Sequence, residues 1–252
     1  MDEREFVKLK EAFGKATVRL LLLDYDGTLV DYTPVPATAT LPENVSLLLR
    51  QLSLLPGTEI FIITGRSYKD IENLIGHLPI NIIAEHGAMI RELGIWKREV
   101  EDDGLWKETV RPLFNEVTKL CPNTYIEEKI YSLSWHYRAA DPEPGFIISR
   151  KLIDMLNNII LSLGLKLLDG NKVVEVMKLA VGKGRAVKRL IGDENCNFIL
   201  AIGDDATDEE MFEYFKPDKN AFTIKVGNGT THAGYRFPGV SEVIELLKHL
   251  TE

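Results

Sequence analysis

The chain has 252 residues, a length that fits one large domain or a core carrying a smaller inserted one. Its apolar share of 45% supplies a buried core, and an excess of acidic over basic residues, 38 to 30, gives a formal net charge of −8. That balance argues against a nucleic-acid binder, which shows a basic surface, but is compatible with a small anionic substrate held by a few local cations.

From the N-terminus, MDEREFVKLKEAFGK is charged and lacks the apolar centre of a signal peptide. The greasy run at 18–23 is interrupted by Arg19 and is far shorter than a bilayer span, so no membrane association is expected. The two cysteines, Cys121 and Cys196, form neither a metal-ligand spacing nor a disulfide framework. A reducing compartment and a cytoplasmic location are the expectation.

VRLLLLDYDGTL predicts a fully buried strand ending at Asp24, since unalternating apolar runs suit central parallel strands. Pro42 opens a helical stretch to about Leu55, EIFIITGR predicts a second buried strand, and Ser67 caps a helix through Ile75. INIIAEHG is a third apolar run. FILAIGDD and AFTIKV add two more near the C-terminus, with a helix between them. Strands alternating with helices imply a doubly wound parallel sheet of Rossmann type, an α/β core. The middle of the chain differs: a helix over 105–120, two short strands in TYIEEKIYSLSWHYR, a helix over 143–164, and a hairpin in KLLDGNKVVEVMKL turning at 169–171. This pattern predicts an α+β module inserted into the core. The expected organisation is core at 1–103, insertion at 104–179, and core again at 180–252.

Four segments carry candidate chemistry. DYDGT at 24–28 places Asp24 and Asp26 two residues apart at a strand end, where ligands bind in open α/β sheets. One such carboxylate can attack phosphorus while the other handles the proton of the leaving oxygen; taken alone, the segment also reads as an Asp-Gly turn. Thr64, Gly65 and Arg66 close the second strand, where a hydroxyl and backbone amides hold a phosphoryl oxygen or simply cap a helix. Lys183, in GKGR, offers a cation for carboxylates and phosphoryl charge, or an ordinary exposed lysine. In GDDATD, Asp204, Asp205 and Asp208 repel one another unless a cation sits among them, and hard oxygen ligands suit Mg²⁺. Helix capping accounts for one of these three carboxylates.

Together, LDYDGTL, TGR, GKG and GDDATD resemble the haloacid dehalogenase-like phosphatases, in that family's order and across nearly the whole chain. The resemblance implies an aspartyl-phosphate on Asp24 and general acid then base work by Asp26. It further implies phosphoryl contacts from Thr64 and Lys183. Mg²⁺ would be bound by the Asp24 carboxylate, the Asp26 carbonyl and Asp204, with Asp205 and Asp208 as direct or supporting ligands.

AEHG at 84–87, the IEEK…SLSWHYR block, VVEV at 173–176 and GDDATDEEMF look like trehalose-6-phosphate phosphatases. That narrower resemblance implies a cap between the second and third motifs, with sugar contacts from Glu127, Lys129 and Glu175. In an extended strand Glu127 and Lys129 share a face, and Glu175 alternates with Val174 and Val176. Such a face suits sugar hydroxyls, or a solvated cross-strand salt bridge. His136, Arg138 and His86 are further candidates for substrate contact. The chain departs from the family at Ala206, where Arg is usual, at Glu210, and at Thr64, where Ser is commoner but the hydroxyl is kept. The leading expectation is a sugar-phosphate phosphatase acting on trehalose 6-phosphate, functionally coupled to a trehalose-phosphate synthase. The rivals are a phosphatase of sucrose phosphate or mannosyl-phosphoglycerate type, a phosphomutase, and a non-catalytic sugar-phosphate sensor.

Overall fold

The computed structural model describes residues 1–33, 35–192 and 196–252. In chain order the elements begin with α1 (Glu3–Lys15), capped by the Asp2 side chain on Glu5 N, then β1 (Arg19–Leu23), α2 (Glu43–Ser53), β2 (Thr58–Ile63) and α3 (Tyr68–Ile75). There follow β3 (Asn81–Ala84), β4 (Met89–Glu92), β5 (Ile95–Arg98), α4 (Trp106–Leu120), β6 (Tyr125–Glu128) and β7 (Ser132–His136). Next come α5 (Pro142–Asn157), β8 (Leu165–Gly170), β9 (Val173–Lys178), α6 (Lys183–Ile191) and β10 (Phe198–Gly203). The chain ends with α7 (Ala206–Phe215), β11 (Ala221–Val226), β12 (Tyr235–Phe237) and α8 (Val240–Thr251).

The chain forms two compact units, Met1–Glu99 with Gly182–Glu252, and Val100–Val181. The first holds an eight-stranded sheet in the order β12-β11-β10-β1-β2-β3-β4-β5 among the described residues. Strands from β12 through β3 are parallel, and α2, α3 and α7 make the crossovers from β1 to β2, β2 to β3 and β10 to β11 that cover the sheet. That explains the unbroken Leu20–Leu23 and Phe198–Gly203 runs, whose residues are all buried. On one face Leu20, Leu22, Phe61 and Ile199 pack with Val187 of α6 and Phe212 of α7. The α/β fold with a mainly parallel sheet is therefore the one the sequence implies.

The sequence expectation ends at AFTIKV and lacks β12 and α8, and three further features depart from it. A helix forms at the N-terminus, where only charge was noted. An antiparallel hairpin, β4–β5, extends the sheet edge through a turn in which Leu93 and Gly94 both have positive φ, 49° and 81°. The helix expected over 143–164 stops at Asn157, and a separate short turn over Leu161–Leu163 closes on Gly164 in the left-handed region.

The second unit is a four-stranded antiparallel sheet, β6-β7-β9-β8, covered on one face by α4 and α5. Trp106, Val110, Phe114 and Val117 form the buried stripe of α4 at helical spacing. They meet Leu133, Trp135, Val174 and Val176, the alternate residues of β7 and β9. The other alternates put Glu127, Ser134 and Glu175 in register across β6, β7 and β9 on the opposite face. No helix among the described residues is long and apolar enough to cross a membrane.

Candidate active site

Because β10, β1 and β2 are adjacent and parallel, their C-terminal ends bring three sequence segments to one edge of the first unit. Asp24 follows β1, with its backbone N–H donating to Ile202 O at 3.0 Å. The chain then turns on Gly27, whose φ is 80°. A Cβ there would lie 2.3 Å from Asp204 Oδ2, so the absence of a side chain is what lets the Asp204 carboxylate approach the turn.

Lys183 opens α6 and is 1% exposed. Its Nζ donates to Asp24 Oδ1 and to Asp208 Oδ1, each at 2.7 Å. Burial opposes its charge, but Asp208 and Asp24 outweigh burial and hold the ammonium well above the ordinary lysine range. Asp208 Oδ2 accepts from the backbone N–H groups of Asp204 and Asp205 at 3.0 and 3.1 Å. Burial pushes the Asp24 carboxyl up to about 7; Lys183 works against this, while Asp204 and Asp205 add to it. Asp204 is likewise raised to about 7, by burial and then by its neighbours Asp205 and Asp208.

Oxygens of Asp24, Asp204 and Asp208 all lie within 4.8 Å of one another. The buried Asp24 and Asp208 and the half-buried Asp204, carboxylates that resist joint ionisation around a cradle only glycine leaves open, form a hard-oxygen donor set suited to Mg²⁺. Asp205 is not one of that group. Its Oδ1 accepts from Thr207 N at 2.8 Å, from Thr207 Oγ1 at 2.6 Å and from Asp208 N at 3.3 Å, which makes it the N-cap of α7. Burial opposes its ionisation, yet the Lys183 charge and the Thr207 hydrogen bond prevail and bring it to about 2. Capping thus engages two acidic residues of GDDATD, Asp205 as the N-cap and Asp208, which closes the capping box through Asp205 N while also meeting Lys183.

The carboxylate of Asp26 points elsewhere. Arg66 donates to it through Nε to Oδ2 and NH2 to Oδ1, both at 2.6 Å. The guanidinium also lies over the Tyr25 ring, 5.3 Å from its centroid. Arg66, expected among the substrate contacts, is therefore engaged with Asp26. Thr64 is buried and its hydroxyl accepts from Arg66 N at 3.1 Å. The segment after β3 braces this loop, with Glu85 N donating to Arg66 O at 2.9 Å and His86 N to Thr64 O at 3.0 Å. Glu85 and His86 both adopt positive φ, 48° and 53°, a conformation that side chains make costly and that clusters at functional sites. The His86 ring lies on Gly65, where a Cβ would come within 2.4 Å of its Cε1.

In the second unit, Glu127, Lys129 and Glu175 come together. Lys129 Nζ lies 3.2 Å from Glu175 Oε1 and 4.0 Å from Glu127 Oε2. Ser132 Oγ donates to Glu175 Oε1 at 2.5 Å. His136 Nε2 meets Glu127 Oε2 at 2.7 Å, and its ring stacks on Tyr125 at 4.7 Å. Burial alone would raise Glu127; the His136 hydrogen bond and the Lys129 charge prevail and hold its carboxyl below the usual range. Arg138, just after β7, donates to Asn171 O at 2.8 Å and so ties to the β8–β9 turn.

Two residues near the acidic cluster were not anticipated. The Tyr32 hydroxyl donates to Asp204 Oδ2 at 3.1 Å, and no local signature marks it. Lys225, on β11, is 5% exposed and donates to the Asp204 carbonyl, with Asp205 O at 3.4 Å. A lysine inside the otherwise apolar run AFTIKV was the available signal, since a buried ammonium requires acceptors.

The family model described as trehalose-phosphatase matches residues 22–240. The bifunctional trehalose-6-phosphate synthase/phosphatase of Thermoproteus tenax is 37% identical over 252 residues, covering 98% of this chain and 34% of that protein. The trehalose-phosphatase of Saccharomyces cerevisiae is 33% identical over 228 residues, covering 81% of this chain and 25% of that protein. The chain thus spans about a third or less of the length of these curated relatives. Among solved structures, the C-terminal domain of Candida albicans trehalose-6-phosphate phosphatase matches with a TM-score of 0.92 at 30% identity, covering 98% of this chain and 96% of that one. A haloacid dehalogenase-like hydrolase from B. subtilis matches at a TM-score of 0.64 and 16% identity over 92% of this chain and 99% of that one, a likeness of fold.

Proposed function

The chain belongs to the trehalose-phosphatase family, and from that premise we propose that it hydrolyses trehalose 6-phosphate to trehalose and phosphate. The observation that carries the chemistry is the buried contact of Lys183 with Asp24, 2.7 Å long, beside the Asp204 and Asp208 carboxylates.

In the proposed reaction an Asp24 carboxylate oxygen attacks phosphorus as the bond from phosphorus to the sugar oxygen breaks. The Asp26 carboxyl gives its proton to that leaving oxygen. Water then attacks the aspartyl phosphate, Asp26 takes its proton, and the bond between Asp24 and phosphorus breaks to release phosphate. Lys183 and the Thr64 hydroxyl, with the Gly65 amide, bind phosphoryl oxygens and stabilise the charge spread over them. Arg66 holds the Asp26 carboxylate in one rotamer; one of the two contacts opens when Asp26 carries the proton, and the other keeps the group in place. The carboxylates of Asp24 and Asp204 and the carbonyl of Asp26, with Asp208 beside them, would hold Mg²⁺, which when bound would supply charge neutralisation for the phosphoryl group. Asp205 supports that site by fixing the start of α7.

Recognition of the sugar is assigned to Glu127, Lys129 and Glu175, whose mixed donors and acceptors match hydroxyl groups. The synthase activity named for the Thermoproteus tenax relative supports functional coupling to a trehalose-phosphate synthase. Phosphate release from a panel of sugar phosphates, with Mg²⁺ and with EDTA, tests the proposal. Metal-dependent preference for trehalose 6-phosphate is the expected result. Metal-dependent release spread over other sugar phosphates would keep Asp24 and discard the trehalose assignment, and no release from any substrate would return the sensor reading.

A further inference from the structure

Lys107 occupies a position that should repel a lysine twice over. It lies in the first turn of α4, where the helix macrodipole is positive and acidic residues are favoured. It is also 7% exposed, and burying an ammonium is costly unless acceptors replace water. The acceptors are two consecutive backbone carbonyls. Lys107 Nζ donates to Lys129 O at 2.5 Å and to Ile130 O at 2.7 Å, with Glu128 Oε1 at 3.5 Å.

Those carbonyls belong to the turn joining β6 to β7. The turn is closed by Lys129 N donating to Ser132 O at 3.1 Å, and it carries the Lys129 side chain to Glu175. A charge-assisted grip on the two peptides that flank Ile130 limits rotation of the backbone from which the Lys129 side chain departs. Methionine at this site would keep an unbranched side chain of similar length. What methionine would not do is satisfy two turn carbonyls. Resting on the sugar-recognition role proposed for Lys129, we infer that Lys107 is a positioning residue for substrate specificity. It acts through the turn to set Lys129 against Glu175 and touches neither the sugar nor the phosphate.

The test uses the full chain and four variants: K107M, K107R, K129A and the K107M/K129A pair. Each is assayed on trehalose 6-phosphate and on p-nitrophenyl phosphate, which has no sugar to recognise. K107M is expected to raise KM for the sugar phosphate about tenfold or more while leaving p-nitrophenyl phosphate turnover within about twofold, the scale on which a small misplacement acts. K107R, which still donates to carbonyls, should recover most of the loss. The double variant should match K129A, because Lys107 then has nothing left to position. Equal losses on both substrates, no loss on either, or additive effects in the double variant would overturn the inference. If K107M melts below the assay temperature, the comparison is made with K107L at a temperature where that variant is folded, since leucine likewise cannot donate to the turn carbonyls. Failure of the trehalose reading would appear separately, as a wild-type preference for another sugar phosphate. The comparison is then made with that compound, and Lys107 is judged by the same outcomes.

Discussion

Arg66 and Asp26, forty residues apart, form a two-point ion pair in which each carboxylate oxygen receives one guanidinium N–H at 2.6 Å. A carboxylate held at two points by a planar fork has one rotamer, and an acid/base group serves best when its oxygen is fixed. Lysine in place of Arg66 keeps the charge but contacts one oxygen only. We expect Arg66→Lys to lower kcat about tenfold and Arg66→Met about a hundredfold, within the range of general acid–base contributions. Both should change the pH profile of kcat while KM moves little. A change confined to KM would place Arg66 on the substrate.

Asp24 shares the Lys183 ammonium with Asp208, and burial, joined by the Asp204 and Asp205 carboxylates, raises its own pKa. Asp24→Asn keeps the shape, removes the nucleophilic charge and relieves repulsion in the cluster. Turnover should fall by about four orders of magnitude or more, as when a nucleophile is lost elsewhere. The melting temperature should stay within about 3 °C of wild type or rise, since Lys183 retains Asp208. Substantial remaining phosphate release would sink the aspartyl-phosphate route.

How far these features were legible depended on whether their cause was local. The unbroken apolar runs of β1 and β10 announce strands buried on both faces, and Ser67 announces the start of α3 through its bond to Asp70 N. The β4–β5 hairpin was not legible, because its turn places the 96%-exposed Leu93 in the left-handed region without an Asn-Gly or Asp-Gly signal. Alternation correctly put Glu127 and Glu175 away from the core of their sheet. Nothing local told Asp205 from Asp204: both follow β10, and only the path into α7 turns one toward a cap and leaves the other beside Asp24. The grip of Arg66 on Asp26 depends on strands that pair far apart in sequence, which motif spacing does not encode.

The acidic cluster predicts a coupling between pH, cation binding and stability. Asp24 and Asp204 are raised to about 7 from 3.8. The fold therefore keeps protons on them that the unfolded chain releases between about pH 4 and pH 7. With cations removed by EDTA, the contribution of these groups is greatest at low pH and declines as pH rises towards 7. A divalent cation requires the ionised carboxylates, so its binding releases protons and strengthens with pH. The gain in melting temperature on adding Mg²⁺ should be about 5 °C near pH 8 and close to nil near pH 5.5. Asp204→Asn should lose the gain near pH 8. Thermal unfolding with Mg²⁺ and with EDTA decides it, and equal gains at the two pH values would remove the cluster as the cation site.

Glu175 is the most enclosed charged member of the second unit's polar group, 4% exposed, and its Oε1 takes both the Ser132 hydroxyl at 2.5 Å and the Lys129 ammonium at 3.2 Å. A buried carboxylate used only to neutralise Lys129 would affect stability alone. One that also accepts from sugar hydroxyls would affect binding, at about the strength of a hydrogen bond to a charged group. Glu175→Ala should raise KM for trehalose 6-phosphate roughly tenfold to a hundredfold and cost distinctly less with p-nitrophenyl phosphate. Glu175→Gln separates the two contributions, because its amide oxygen can still accept from Ser132 while the charge opposite Lys129 is gone. A KM for the glutamine variant lying between wild type and alanine would show that both the charge and the hydrogen bond serve recognition. Equal effects of Glu175→Ala on the two substrates would instead make this residue a strut of the sheet, and would leave sugar selection to Glu127 and Lys129.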